Sequence, residues 1–222
     1  MAYSRRDFLV FGAAAGIASA AGPEQAVKPE QAHKELVDGN RRFSSGHPRH
    51  PHSSVAWAKQ TARGQHPHAL VLCCSDSCVS PEILFDQGIG DLFVVRVAGN
   101  VANEDEVASI EYAVEHLNVP LCVVLGHSNC GAVTAVVEGK KLPDAIAHLV
   151  ISIQSAYKHA KAQHPGVSEQ EMIQATVRSN VIETMASIAH SAKLIDERLK
   201  MGRFHVEGGV YNLATGRVEW VR

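Results

Sequence analysis

Two short segments hold most of the residues able to do chemistry. Cys74-Ser75-Asp76-Ser77-Cys78 puts two thiols and a carboxylate close together, and Gly126-His127-Ser128-Asn129-Cys130-Gly131 adds an imidazole and a further thiol. Two thiolates and one imidazole make a zinc set. Three protein ligands leave the fourth position for water, which marks a catalytic rather than a structural zinc. Cys74, His127 and Cys130 supply that set if the two segments meet. Cys130 also opens a helical pattern, and the positive end of a helix favours the thiolate that zinc requires. The spacing is unlike a zinc finger, because one ligand lies far upstream of a His-x-x-Cys pair. Alone, His-x-x-Cys is a weak sign that reads equally well as a buried Cys beside a capping turn.

The elements around these segments decide whether they can meet. Three apolar runs, Ala69-Leu70-Val71-Leu72-Cys73, Phe93-Val94-Val95-Arg96-Val97 and Leu121-Cys122-Val123-Val124-Leu125, are bounded by turn residues and lack alternation. That pattern predicts strands buried on both faces, as in a parallel sheet. Both chemical segments start just past such a strand, and ligand sites gather at the carboxyl ends of strands in open α/β sheets. Helical spacing predicts helices over residues 31–43, 55–61, 104–117 and 128–137. Ser168 with Glu171 forms a capping box ahead of a helical pattern that reaches residue 199. A hairpin over 210–213 and 218–221, turned by Thr215-Gly216, ends the chain. The expected fold is α/β: a single domain with a mostly parallel central sheet flanked by helices and a C-terminal hairpin.

The chain has 222 residues, which suits one domain with a full core. Its formal net charge is -2, and it carries no concentrated basic face. Neither nucleic acid nor an anionic membrane surface is therefore an expected partner. Ser4-Arg5-Arg6-Asp7-Phe8-Leu9 places paired arginines before an apolar, alanine-rich run, and Ala18-Ser19-Ala20 offers a cleavage site. Residues 1–26 thus read as a twin-arginine signal peptide with the start of a linker, and 27–222 as the zinc domain. The apolar run is too short for a comfortable membrane span. The mature protein is expected outside the cytoplasmic membrane, in the periplasm or otherwise exported, and not membrane-bound once the signal is removed. Five cysteines in an oxidising compartment would suggest disulfides. The odd count and the clustering of Cys73, Cys74 and Cys78 fit metal ligation better. The histidines His47, His50, His52, His66 and His68 crowd a polar stretch with no ligand spacing, which reads as solvated loop.

Taken together, the motifs resemble the β-class carbonic anhydrase family. The resemblance rests on Cys74-Ser75-Asp76-Ser77-x-Val79-x-Pro81-Glu82, on Phe93-Val94-Val95-Arg96-Val97-Ala98-Gly99-Asn100, on Ser109-Ile110-Glu111-Tyr112-Ala113-Val114 and on the run from Val124 through Gly126-His127-Ser128-Asn129-Cys130-Gly131 to Val133. It extends from about Leu36, with Gly39-Asn40-Arg41-Arg42-Phe43, to the final hairpin. It implies zinc held by Cys74, His127 and Cys130. Asp76 is implied as the acidic residue beside the metal, which orients the attacking water or, in some members, closes onto the zinc. Gln65 is implied to help hold the substrate oxygen, and Gly131 to turn a backbone N–H toward the bound anion. The implied activity is reversible hydration of carbon dioxide to bicarbonate and a proton, with zinc making hydroxide available near neutral pH. The family forms tight dimers, often paired into tetramers, with the site near the subunit interface; a homodimer or homotetramer is therefore expected.

One position departs from the pattern. The family's Cys-x-Asp-x-Arg is here Cys-x-Asp-x-Cys, with Cys78 in place of an arginine that pairs with the aspartate and keeps it off the metal. A thiol is shorter, usually neutral and a weak donor. Three outcomes are open: Asp76 closes the zinc site and silences it, another donor steadies Asp76 and hydration persists at a reduced rate, or Cys78 engages the metal or pairs with Cys73. Arg96 is a weak candidate for that other donor, having its own place in the family pattern. The alternative to weakened hydration is a catalytically silent zinc module with Asp76 on the metal. A remoter alternative is a serine hydrolase using Ser128, since Gly-His-Ser at a strand-to-helix turn resembles a nucleophile elbow and Asp196 and His205 follow in suitable order. Cys122 reads as core packing, Glu111 and Tyr112 as surface or interface, and Glu82 as a brace for the site.

Overall fold

A computed structural model describes residues 27–221 of the chain. The expected signal peptide lies outside the described residues. The sheet is five-stranded in the order β2-β1-β3-β4-β5, with β1 Ala69–Cys73, β2 Leu92–Arg96, β3 Leu121–His127, β4 His205–Tyr211 and β5 Val218–Val221. Strands β2, β1, β3 and β4 run parallel, and β5 returns antiparallel to β4. Every residue of β1 and β3 is buried, as uninterrupted apolar runs require when both faces of a sheet are covered.

Alternate residues feed two cores. Val71, Cys73, Val123 and Leu125 face α1 (Pro29–Ser44) through Ala32 and Leu36, together with Phe85 and Tyr211. Leu70, Leu72, Cys122 and Val124 face α4 (Glu104–His116), α8 (Glu169–Ala189) and α9 (Lys193–Lys200) through Ile110, Val114, Val181, Ile188 and Ile195. Cys122 is a core residue, fully buried. The other helices are α2 (Val55–Thr61), the single turn α3 (Pro81–Leu84), α5 (Gly131–Val137), α6 (Asp144–Leu149) and α7 (Ile151–Gln163).

Three boundaries differ from those expected. The pattern running to residue 199 is two helices, because Ala192 is extended (φ -148°, ψ 145°) and ends α8 from α9. The helix expected from residue 128 starts instead at Gly131: Asn129 adopts a left-handed φ of 58° and Cys130 is the N-cap. The first hairpin strand begins at His205, well before residue 210. Gly208 and Gly209 lie inside that strand, where packing demands them. A Cβ on Gly208 would lie 2.5 Å from Met185 Sδ, and one on Gly209 2.7 Å from Val218 Cγ1.

The first helix and the hairpin are tied by one buried side chain. Asn40 Nδ2 donates to Leu84 O (3.0 Å) and Gly216 O (2.9 Å), while its Oδ1 accepts from Val218 N (2.9 Å). All its polar groups are therefore used, as burial demands.

Candidate metal centre

Register brings the two chemical segments to one sheet edge. Cys73 pairs with Leu125, so the residues just past β1 and the end of β3 emerge side by side. His127 is the last residue of β3, opposite Tyr211 of β4. The chain then turns through Ser128, whose N–H donates to Tyr211 O (2.9 Å) and whose Oγ accepts from Leu213 N (3.0 Å). The left-handed Asn129 delivers Cys130 to the cap of α5. Val101, Val133, Val150, Ile153, Ile173 and Val177 pack around Cys74 and Cys130 as a third apolar cluster.

One ligand atom each from Cys74, Asp76, His127 and Cys130 lie within 4.8 Å of one another. The two sulfurs are 3.9 Å apart, and His127 Nε2 lies 3.3 Å from Asp76 Oδ2. His127 Nδ1 stands 3.1 Å from the carbonyl of Ser128. A carbonyl only accepts, so Nδ1 carries the proton and Nε2 presents its lone pair to the cluster. That Nε2 is buried without a hydrogen-bond partner. A buried lone pair with no donor is costly unless a cation takes it. The spacings fit such an ion: two sulfurs on one tetrahedral zinc at about 2.3 Å would lie about 3.8 Å apart, and a nitrogen and an oxygen about 3.3 Å apart. Three of the four residues are buried, whereas the Asp76 side chain is 42% exposed, so the open side of the cluster is the carboxylate's.

Electrostatics favours thiolate at Cys74. Hydrogen bonding with Cys130, aided by the N–H groups of Gly99 and Asp76, outweighs burial and holds its thiol well below the usual range. The same contact with Cys74, then burial, pushes Cys130 up. A cation at the centre would remove that conflict by accepting both sulfurs as thiolates. The Gly99 N–H lies 3.3 Å from Cys74 Sγ, at a φ of 76° that suits glycine, and Asn180 Nδ2 fixes the Gly99 carbonyl at 2.8 Å. Nothing in the residue types of Gly99 or Asn180 marks this support; only the fold places it.

Cys78 is exposed and lies 4.0 Å from His127 Nδ1. Partial burial, then the Asp76 charge, push its thiol up, so it is a neutral neighbour of the carboxylate. No disulfide joins Cys78 to Cys73, which is buried and whose thiol burial pushes up to about 12. Arg96 does not take over from the missing arginine at the carboxylate. Its Nε donates to Cys74 O (3.2 Å) and its Nη2 to Asp76 O (2.8 Å), both main-chain atoms.

The remaining expected residues lie less close. Gln65 is exposed in the loop before β1, and no hydrogen bond among the described residues joins it to the cluster. Gly131 is the first residue of α5, and a Cβ there would meet no atom within 4 Å, leaving its backbone open to an approaching group. Glu82 is half-buried in α3 and Tyr112 half-exposed on α4. The serine hydrolase arrangement is not present. Ser128 Oγ is engaged by Leu213 N, His205 pairs with Leu121 at the far end of β3, and Asp196 is ion-paired with Lys200 on α9.

The chain is similar to several known proteins. The model of the carbonic anhydrase family matches residues 69–218. Carbonic anhydrase 2 of two Mycobacterium tuberculosis strains is 41% identical over 189 residues, covering 84% of this chain and 89% of each relative. The carbonic anhydrase of Mycolicibacterium smegmatis is 40% identical over 192 residues, covering 85% and 91%. Among solved structures, the β-carbonic anhydrase CcaA superposes with a TM-score of 0.71 at 27% identity, over 86% of this chain and 95% of its own. From its sheet topology to the order of its sequence blocks, the chain belongs to the β-carbonic anhydrase family.

Proposed function

We propose that this protein catalyses the zinc-dependent, reversible hydration of carbon dioxide to bicarbonate and a proton, at a rate lowered by Cys78. The observation that carries the reading is the convergence of Cys74, His127, Cys130 and Asp76 around a buried, unpartnered imidazole nitrogen. Cys74, His127 and Cys130 would hold the ion. Bound zinc supplies hydroxide near neutral pH and polarises the developing charge. Asp76 works from the open side, where its carboxylate accepts a hydrogen bond from the nucleophile and aims the remaining lone pair at the substrate carbon. Gly131 offers its backbone to the product anion without steric obstruction. Among the described residues, no hydrogen bond ties Gln65 to the cluster. Its proposed role in holding the substrate oxygen belongs to the dimer or tetramer, where the family's site lies near the interface.

Asp76 also has a second position. Its Oδ2 already stands where a fourth ligand would stand, 3.3 Å from His127 Nε2. That spacing favours the alternative of a closed, silent zinc site, with no guanidinium at position 78 to draw the carboxylate away. Stopped-flow hydration on zinc-quantified protein separates the two readings. Activity that rises with pH supports a site gated by Asp76, and none at any pH leaves the closed module. We further propose export through the twin-arginine route, on the strength of Arg5-Arg6 and the apolar run that follows. Cell fractionation of the full chain against an Arg5→Lys, Arg6→Lys variant tests this.

A further inference from the structure

The geometry points to Arg96 as a positioning residue that holds Asp76 toward the metal through the main chain; this rests on the zinc reading above. Among the described residues, no hydrogen bond from any donor reaches the Asp76 carboxylate, whose Oδ2 lies 3.3 Å from the lone pair of His127 Nε2. What fixes the carboxylate is therefore its own backbone. The Asp76 carbonyl accepts from Arg96 Nη2 at 2.8 Å and from Val79 N at 3.1 Å, and the Cys74 carbonyl accepts from Arg96 Nε at 3.2 Å. One planar guanidinium thus spans the two peptide units that carry a ligand thiol and the mobile carboxylate, using its fork geometry on carbonyls.

Arg96 can do this because of where its strand ends. It is the last residue of β2 and pairs with Cys73, while Val97 N donates to Cys73 O at 3.1 Å, so the side chain lies directly over the loop that leaves β1. Arg96 is itself exposed, so the loop is held from its solvent side, with the Asp76 carboxylate next to His127 Nε2. A chain with a guanidinium at position 78 would have a competing pull on the carboxylate itself. Here Cys78 exerts none, and the clamp from Arg96 acts unopposed. Arg96 accordingly sets how far the fourth position of the metal is open to an incoming anion.

The test uses the full chain loaded with cobalt(II), titrated with azide and read by visible absorption. The proteins are wild type, Arg96→Ala and Arg96→Lys, each with and without Asp76→Asn. Releasing the clamp frees the carboxylate, so Arg96→Ala should tighten azide binding about tenfold, the order expected for one charged hydrogen bond. On the Asp76→Asn background the same change should alter azide affinity less than about twofold, since the group being positioned is gone. Arg96→Lys, which reaches one carbonyl at a time, should fall between, and it carries the test if the alanine variant does not fold. Unchanged or weaker azide binding in the Arg96 variants, or equal tightening on both backgrounds, would overturn the inference while leaving the zinc reading intact. Failure of the wild type to take up about one cobalt per chain would overturn the zinc reading, and the clamp with it.

Discussion

Replacing Cys78 by arginine tests the central claim about this site, that no side chain draws the Asp76 carboxylate away from the metal. Position 78 is exposed, so the longer side chain can be accommodated without repacking. The target is close, because the neighbouring Asp76 charge is already felt by the Cys78 thiol. The carboxylate is 42% exposed, which rules out the several kcal/mol of a buried pair. A charge-assisted pair in that setting contributes about 1 kcal/mol. That free energy acts against closure of Asp76 onto the metal, so the open population should rise about fivefold wherever closure dominates. Hydration should therefore increase about fivefold near neutral pH, with a smaller gain at alkaline pH, where hydroxide already competes well for the metal. The assay is stopped-flow hydration on protein of matched zinc content, with kcat and KM determined separately. The gain should appear in kcat. An unchanged kcat at neutral pH, with zinc content and folding preserved, would refute the account of Cys78.

Stripping the metal should cost stability as well as activity, since it leaves two buried sulfurs 3.9 Å apart to share a proton in place of a cation. A chelator is expected to lower the melting temperature, and zinc to restore it. Asp86 is a separate test of the scaffold. Its fully buried carboxylate accepts from Arg42 Nε and from the N–H groups of Arg49 and His50. Although burial opposes ionisation, these bonds hold its pKa below the usual value. A lowered folded pKa means stability that is fully present above the unfolded pKa and lost as pH falls through the folded one. Asp86→Asn suits the left-handed φ of 48°, so it probes charge rather than strain. It should cost about 3 kcal/mol near neutral pH and flatten the acid limb in denaturant melts. Gly126→Ala would put a Cβ 2.7 Å from Val181 and 3.1 Å from Val177. Overpacking of that kind costs about 1–3 kcal/mol and should loosen metal binding by displacing His127 next door, as competition with a zinc indicator would read.

How much of this was legible beforehand varied with the physics behind each part. β1 and β3 were readable because strands covered on both faces leave unbroken apolar runs, and the ligand set because Cys, His and Asp are seldom grouped for packing reasons. The fold then made the meeting of Cys74 with Cys130 a matter of register. Helices α6 and α7 were not read. Their stretch carries Lys, His, Gln and Ser on a half-exposed surface, and among the described residues Val150, Ile153, Ala156 and Ala160 are the buried ones. The start of β4 was hidden by Gly208 and Gly209, whose reason is the neighbouring Met185 and Val218. The role of Arg96 could not be seen either, since its partners are carbonyl oxygens that every residue possesses. Gln65 shows the converse limit: its place in a motif says nothing of its reach within one chain.

Asn40 also constrains how the molecule comes into being. Its amide is satisfied by Leu84, Gly216 and Val218, so the first helix cannot finish docking until Val218 has been synthesised. Such long-range closure is slow and comes late, because the entropy of a loop spanning most of the chain must be met before the contact helps. A ribosome-bound or clipped polypeptide would carry an orphaned amide in an unfinished core. The first helix and the hairpin therefore complete each other's buried hydrogen bonding only when both are in place.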